Sequence, residues 1–143
     1  MIAQGKPGRV FMGRLTHGAD LLAELTAFAA EKGIRAARVE AIGAVKCART
    51  GFYDQAARKY GYHEFGKPME ILALVGNVSV KAEAPGKPFV HAHVTLSDEE
   101  GRAFGGHLAE GTTVFAGEFC MVELTGVELT RRPDEVTGLA LWG

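Results

Sequence analysis

The chain has 143 residues, enough for a substantial hydrophobic core, and we expect a single domain over residues 1–143. Its 16 basic and 17 acidic residues give a formal net charge of −1. A dedicated nucleic-acid-binding protein usually carries a basic excess, so nucleic-acid binding by this chain alone is disfavoured. No apolar run approaches the roughly 20 residues that span a bilayer, and the N-terminus lacks a signal-peptide pattern, so we expect a cytoplasmic protein without membrane contact.

The first part of the chain predicts one strand and the main helix. Residues 8–15 alternate small or apolar with charged side chains, which is typical of a strand. A helix is predicted over about residues 20–32, because apolar residues recur there at helical spacing, namely Leu21, Leu22, Leu25, Phe28 and Ala29. Thr16 or Asp20 is expected to cap the helix N-terminus, and Gly33 is expected to end it.

The middle of the chain predicts strands. Residues 37–54 are rich in small and β-branched side chains and predict one or two strands, with a break near Gly43. Residues 55–68 are polar and aromatic and predict a hairpin end or an exposed loop. Residues 69–84 predict two strands with a bend near Gly76.

The last part of the chain continues this pattern. Residues 88–98 and 102–108 predict a hairpin, residues 113–132 predict one long bent strand or two strands, and residues 137–142 predict a strand that closes the sheet. Many strands with one substantial helix, and no regular β-α-β alternation, indicate the α+β class. We therefore expect a mostly antiparallel sheet packed with one main helix.

Cysteine usage is typical of a reducing compartment. Cys47 and Cys120 lie far apart in apolar stretches and show no metal-binding or redox spacing. We therefore predict two buried free thiols.

Three of the five histidines lie between residues 91 and 107. Alternate residues of a strand face opposite sides, so His91 and His93 share one face with Cα atoms about 6.6 Å apart. The other face belongs to the core because it is entirely apolar, with Val90, Ala92, Val94 and Leu96. At this spacing two imidazoles can chelate one ion, provided that a third ligand comes from a neighbouring strand.

The turn between the two strands predicts where that third ligand lies. Residues 99–101 fit a three-residue hairpin loop that ends on a glycine in the left-handed conformation. Asp98 then pairs with Arg102, and His93 lies directly opposite His107. A slip of one residue would move the third histidine to the core face. The register that satisfies the core therefore also unites the histidines, unless Gly105-Gly106 kinks the strand.

Three neutral imidazoles suit a tetrahedral zinc ion and leave the fourth position for water, a substrate or another ligand. Nickel, copper or iron could use the same ligands. Ala103 and Gly105, small residues on the histidine face, are expected to leave open space beside the rings. An open zinc site can activate water, so an enzymatic role is left open. So is the possibility that the histidines only pack or face solvent.

Five other polar side chains are less specific candidates. Glu110 lies close in sequence to the third histidine but is not assigned as a ligand. Glu70, Asp54 and His63 could act as a general base only if the fold brought them to the metal, and His17 beside the helix is most simply a turn residue.

The chain resembles single-domain prokaryotic members of the Plants and Prokaryotes Conserved (PPC) family over nearly its whole length. The resemblance is most specific in residues 91–108 and extends to residues 18–45, 51–54, 69–79, 88–90 and 137–142. It implies an α+β domain with an antiparallel sheet that assembles as a homotrimer. It also implies a metal ion, zinc in the first place, held through His91, His93 and His107.

The resemblance carries no established reaction. We expect a small trimeric metal-binding protein whose open site binds or transforms a small ligand. The alternative is an assembly module that contacts DNA or protein, with a metal that is only structural. Plant relatives attach the domain to AT-hook segments that bind DNA, but this chain has no Arg-Gly-Arg-Pro core of an AT-hook.

Overall fold

The computed structural model describes all residues, Met1–Gly143, as one α-helix and nine β-strands. In chain order the elements are β1 (Lys6–Arg14), α1 (Leu21–Glu31), β2 (Ala37–Asp54), β3 (Lys59–Phe65), β4 (Met69–Lys81), β5 (Ala84–Ser97), β6 (Ala103–Leu108), β7 (Thr113–Thr125), β8 (Thr130–Pro133) and β9 (Ala140–Trp142). All strands belong to one sheet, and every pairing is antiparallel except that of β4 with β8. The predicted α+β class with a mostly antiparallel sheet is confirmed.

The main helix begins and ends as its sequence predicts. Asp20 is the N-cap, and its carboxylate accepts a hydrogen bond of 2.9 Å from the backbone N–H of Ala23. Gly33 follows the helix with φ +64°, a conformation that glycine adopts without steric cost. Leu21, Leu25 and Ala29 are completely buried, so the predicted apolar face packs into the core. With 11 residues, α1 is too short to cross a membrane.

The central strand of the sheet is β2. Its first half pairs with β4 and β7, and its second half pairs with β3 and β6. The predicted break near Gly43 is a bulge within one continuous strand. Gly43 has φ +136°, and a side chain there would collide with the carbonyl oxygen of Ala116 on the neighbouring strand. Glycine is therefore required at this position both by its backbone angle and by the close approach of β7.

Of two other predictions for the middle of the chain, one is wrong and one is confirmed in part. Residues 69–84 do not form two strands, because β4 runs without a break through Gly76. A side chain at Gly76 would overlap Ala92 of β5, so this glycine allows two strands to approach and does not mark a bend. Residues 55–68 were expected to form a hairpin end or an exposed loop, and residues 55–58 are indeed the turn of the β2–β3 hairpin. Residues 59–65 form the regular second strand of that hairpin, β3, and not an exposed loop.

The remaining predictions are largely confirmed. Residues 113–132 contain two strands, β7 and β8, and the C-terminal strand β9 pairs with β8. Both cysteines are free thiols, as expected, but both are partly exposed. The prediction that they are buried is wrong because Cys47 and Cys120 lie on strand positions that do not face the core.

Paired residues of neighbouring strands share a face of the sheet, and the pairings define one row across its outer face. The row consists of Met12, Cys120, Glu40, Val75, His93 and His107. The predicted histidine hairpin, β5 and β6, therefore presents its rings on the outer face. The opposite face of β5 packs into the core with α1.

Candidate metal centre

The histidine hairpin has the predicted register. His93 lies opposite His107, Val94 opposite Gly106, and Leu96 opposite Phe104. The loop glycine, Gly101, has φ +75°, as the predicted loop requires. The apolar face of β5 is buried, with Val90, Ala92, Val94 and Leu96 each at most 4% exposed. The sequence-based register is confirmed, and the Gly-Gly pair does not displace it.

Asp98 holds the hairpin turn together. Its side chain is fully buried. Its carboxylate accepts hydrogen bonds from the guanidinium of Arg102 at 2.7 and 2.9 Å, and from the backbone N–H groups of Glu100 and Arg102 at 3.1 and 3.0 Å. Lys67 adds an ion pair of 3.2 Å. These donors, the Arg102 guanidinium first, hold the pKa of Asp98 well below its usual range.

The three histidine rings converge on one point. Their centroids lie 4.9 Å apart for His91 and His107, 5.4 Å for His91 and His93, and 5.5 Å for His93 and His107. Each ring offers a nitrogen within 4.8 Å of the nitrogens offered by the other two. For zinc–nitrogen bonds of about 2.0–2.1 Å, the distances between these ring nitrogens would have to shorten by at most about 1.5 Å. All three donors come from one chain.

The environment favours neutral rings at His91 and His107. Burial, with the nearby positive charge of Arg131, lowers the pKa of His91 to about 4, and burial also lowers the pKa of His107. A neutral imidazole has a nitrogen lone pair, which is what a metal ion requires. Nδ1 of His107 is buried and has no hydrogen-bond partner. An unpaired buried nitrogen beside two other imidazoles fits a metal ligand.

Arg131 contacts the cluster from β8 and was not predicted. Its guanidinium donates hydrogen bonds to Ser79 Oγ at 2.9 Å, to Asn77 Oδ1 at 3.0 Å and to the carbonyl oxygen of Ala140 at 2.9 Å. Its Nη2 also lies 3.2 Å from Nδ1 of His91. Nothing in the sequence around Arg131 indicates this role, because the residues that it contacts in space belong to other strands.

The contact between Arg131 and His91 has a chemical consequence. A guanidinium nitrogen can only donate, so Nδ1 of His91 accepts and the proton of the neutral ring lies on Nε2. A metal at Nδ1 would take the lone pair that Arg131 uses, and a metal at Nε2 would require the proton to move to Nδ1. Metal binding by a neutral His91 and this contact are therefore mutually exclusive.

The less specific candidates do not join the cluster. Asp54 accepts backbone hydrogen bonds within its own turn, and His63 lies on β3 opposite Thr50. His17 is a turn residue, as predicted, with Nδ1 2.7 Å from the carbonyl oxygen of Phe115. Glu70 lines a separate cavity beside Asp98, and Glu110 is an exposed turn residue.

Open space lies on two sides of the cluster. A shallow recess beside His93 is lined by Ala103 and Gly105, as predicted. Gly105 serves a further purpose, because a Cβ atom there would lie 2.5 Å from the carbonyl oxygen of Val94. On the other side, a cavity of about 330 Å³ opens onto His91 and His107.

Solved structures of the same fold include close relatives. A metal-containing protein from Archaeoglobus fulgidus is 43% identical, with a TM-score of 0.93 over 100% of this chain and 99% of that chain. A plant- and prokaryote-conserved (PPC) protein from Pyrococcus horikoshii is 38% identical, with a TM-score of 0.92 over 100% and 97% of the two chains. A Bacteroides thetaiotaomicron protein, named as a candidate DNA-binding protein, is 25% identical, with a TM-score of 0.84 over 97% and 96%.

Among curated proteins, the bifunctional protein GlmU of a Synechococcus strain is 31% identical over 132 residues, which is 91% of this chain. The chain spans about a fifth of that relative, 20% of its length. The profile of the Plants and Prokaryotes Conserved (PCC) domain matches residues 2–125. Because that match covers most of the sequence, the chain belongs to the Plants and Prokaryotes Conserved domain family.

Proposed function

We propose that the protein binds one divalent transition metal ion per chain, zinc in the first place, through His91, His93 and His107. The convergence of three imidazole nitrogens within 4.8 Å carries this proposal. The lowered pKa values of His91 and His107 support it, because both rings are neutral and able to coordinate at pH 7. The relative from Archaeoglobus fulgidus, itself a metal-containing protein, supports it independently.

We further propose that the site binds a small ligand. Zinc held by three imidazoles keeps an open fourth position and acts there as a Lewis acid. The protein positions the three rings on two paired strands, and the cavity beside His91 and His107 gives a ligand access. No side chain is placed as a general base, so the proposal extends to binding and names no reaction.

Metal analysis tests this proposal. The untagged protein, produced in zinc-supplemented medium and dialysed, should contain close to one equivalent of zinc per chain by plasma mass spectrometry. Competition with nickel, copper and iron then identifies the preferred ion. Metal-free protein that takes up no stoichiometric ion from this series would overturn the proposed function.

The outer face of the sheet supports a proposed homotrimer. Val10 (61% exposed), Met12 (80%), Ile42 (58%) and Val75 (51%) are large apolar residues on this face. Several exposed large apolar residues on one face of a protein often mark an interface. The same face carries the histidine cluster, so subunit contacts would lie next to the proposed metal site.

Charged substitutions on this face should dissociate the trimer. Met12→Glu combined with Val75→Glu places two carboxylates in one row across the sheet, and we expect monomers because burying unpaired charges is costly. Light scattering coupled to size-exclusion chromatography measures the mass. Val136→Glu, at an apolar residue 81% exposed in another region, is the matched control and should remain trimeric. A double variant that keeps the mass of the wild-type trimer would contradict the use of this face.

The second candidate function is an assembly module that contacts DNA or protein, with a structural metal. The similarity to the Bacteroides thetaiotaomicron protein favours it. A gel-shift assay over a salt series tests DNA, since phosphate contacts give steeply salt-dependent affinity. Absence of binding at low salt removes the DNA version. Either function is proposed for the cytoplasm, where free cysteines such as Cys47 and Cys120 persist.

A further inference from the structure

The cavity beside the histidine cluster has an unusual charge pattern. Four cationic side chains line it, namely Arg58, Lys59, Lys81 and Arg131, and no acidic side chain does. Of the chain's 16 lysines and arginines, seven form ion pairs with carboxylates, and none of those seven lines this cavity. Four positive charges on one concave surface, none of them in an ion pair with a carboxylate, attract an anion.

The other lining residues define the shape of the space. Tyr53, Tyr60, Phe89, Leu139 and Leu141 supply aromatic and apolar surface. The volume, about 330 Å³, falls within the range of about 300–1,000 Å³ typical of small-molecule sites. This space is too small for a folded partner or a duplex, and it suits a small molecule with an apolar body.

Two polar side chains, Tyr60 and Arg131, lie where the cavity adjoins the histidine cluster. The Tyr60 ring lies 5.0 Å from the His107 ring, and its phenol hydroxyl can donate a hydrogen bond. Arg131 contacts His91 directly. Metal binding at His91 ends that contact and leaves a guanidinium N–H group for another acceptor.

Arg58 reaches the cavity from the turn between β2 and β3. It is the one residue other than glycine with a positive φ, +51°. This angle belongs to the turn that joins β2 to β3, because hairpin loops commonly place one residue in the left-handed conformation. Its guanidinium makes one hydrogen bond, to the carbonyl oxygen of Glu135, and no ion pair.

We propose that this cavity binds a small organic anion, a carboxylate or phosphate monoester with an apolar body, whose charged group lies next to the histidine cluster. This inference rests on the proposed function only in that a bound metal would add a positive charge and would release an N–H group of Arg131 from His91.

Calorimetric titration tests the inference. Phenyl phosphate and benzoate are the probes, benzamide is the uncharged control, and both zinc-loaded and metal-free wild-type protein are titrated. We expect both anions to bind at least about tenfold more tightly than benzamide, because the cavity selects for charge. Raising the salt concentration from about 0.02 M to about 0.5 M should weaken the binding of both anions and leave the binding of benzamide unchanged.

Two variants locate the binding. Lys81→Ala and Arg58→Asn should each weaken anion binding by about three- to tenfold, the effect of one nearby charge in a partly exposed site. Asparagine tolerates a positive φ, so Arg58→Asn removes the charge and keeps the fold. Lys46→Ala is the control, because it removes an exposed, unpaired lysine outside the cavity. This variant should bind both anions with the affinity of the wild-type protein.

The outcomes separate the two proposals. The inference would be overturned if the anions bound no more tightly than benzamide, or if both cavity variants bound them with wild-type affinity. Either result would count against it even in a protein that binds zinc. Anion binding by a protein that takes up no metal would support the inference and overturn the proposed function. Anion binding that is tighter in the zinc-loaded protein supports both.

Discussion

Replacing His107 with alanine should abolish stoichiometric zinc binding and leave the fold intact. Only three imidazoles converge at the site, so each one supplies a third of the protein's ligands. Changes in residues that merely orient a metal ligand cost about 10–100-fold in affinity, and loss of the ligand itself should cost more than about 100-fold. Competition with a chelator of known affinity measures the loss. His91→Ala should behave in the same way.

The chain supplies its own control for this experiment. His63 lies on β3 outside the cluster, so His63→Ala should retain one equivalent of zinc. Circular dichroism should show the same secondary structure for all variants, because the rings lie on the outer face and not in the core. Zinc that remains stoichiometric in both His91→Ala and His107→Ala would place the metal elsewhere.

The histidine hairpin shows what sequence can predict at a site of this kind. The loop glycine, the Asp98–Arg102 pair and the apolar alternation of β5 all require the same register, and that register unites the histidines. Each signal is local, because the residues that determine the pairing lie within a few positions of the turn. The helix is predictable for the same reason, since its cap and its final glycine are adjacent to it.

Contacts between distant segments could not be predicted. Arg131 reaches His91 from a strand 40 positions away, through the parallel pairing of β8 with β4. Gly76 was expected to mark a bend because glycine usually does, but here it permits close packing against Ala92. In the sequence, a glycine at a bend looks the same as a glycine that permits two strands to approach closely. The cationic cavity escaped prediction because its four charges come from three separate stretches of the chain.

Asp98 is the residue on which the hairpin register depends most, and its replacement should have the largest effect on stability. Asp98→Ala leaves the backbone N–H groups of Glu100 and Arg102 without their acceptor and removes the buried one of the two carboxylates that pair with the Arg102 guanidinium. We expect the melting temperature to fall by roughly 10 °C. Zinc affinity should fall as well, since the turn places His107 opposite His93. Glu100→Gln, which removes an exposed carboxylate of the same loop, should leave both quantities nearly unchanged.

The pH dependence distinguishes the charge of Asp98 from its shape. The folded-state pKa of this carboxyl lies below its value of about 3.9 in the unfolded chain. Its ionised form therefore stabilises the fold fully above about pH 5, and this contribution is lost as the pH falls through the folded-state pKa. Asp98→Asn keeps the shape without the charge, so wild type should exceed it in stability at neutral pH and lose that advantage progressively in acid. An advantage that stays constant from neutral pH to about pH 2 would mean that the charge has no part in holding the turn.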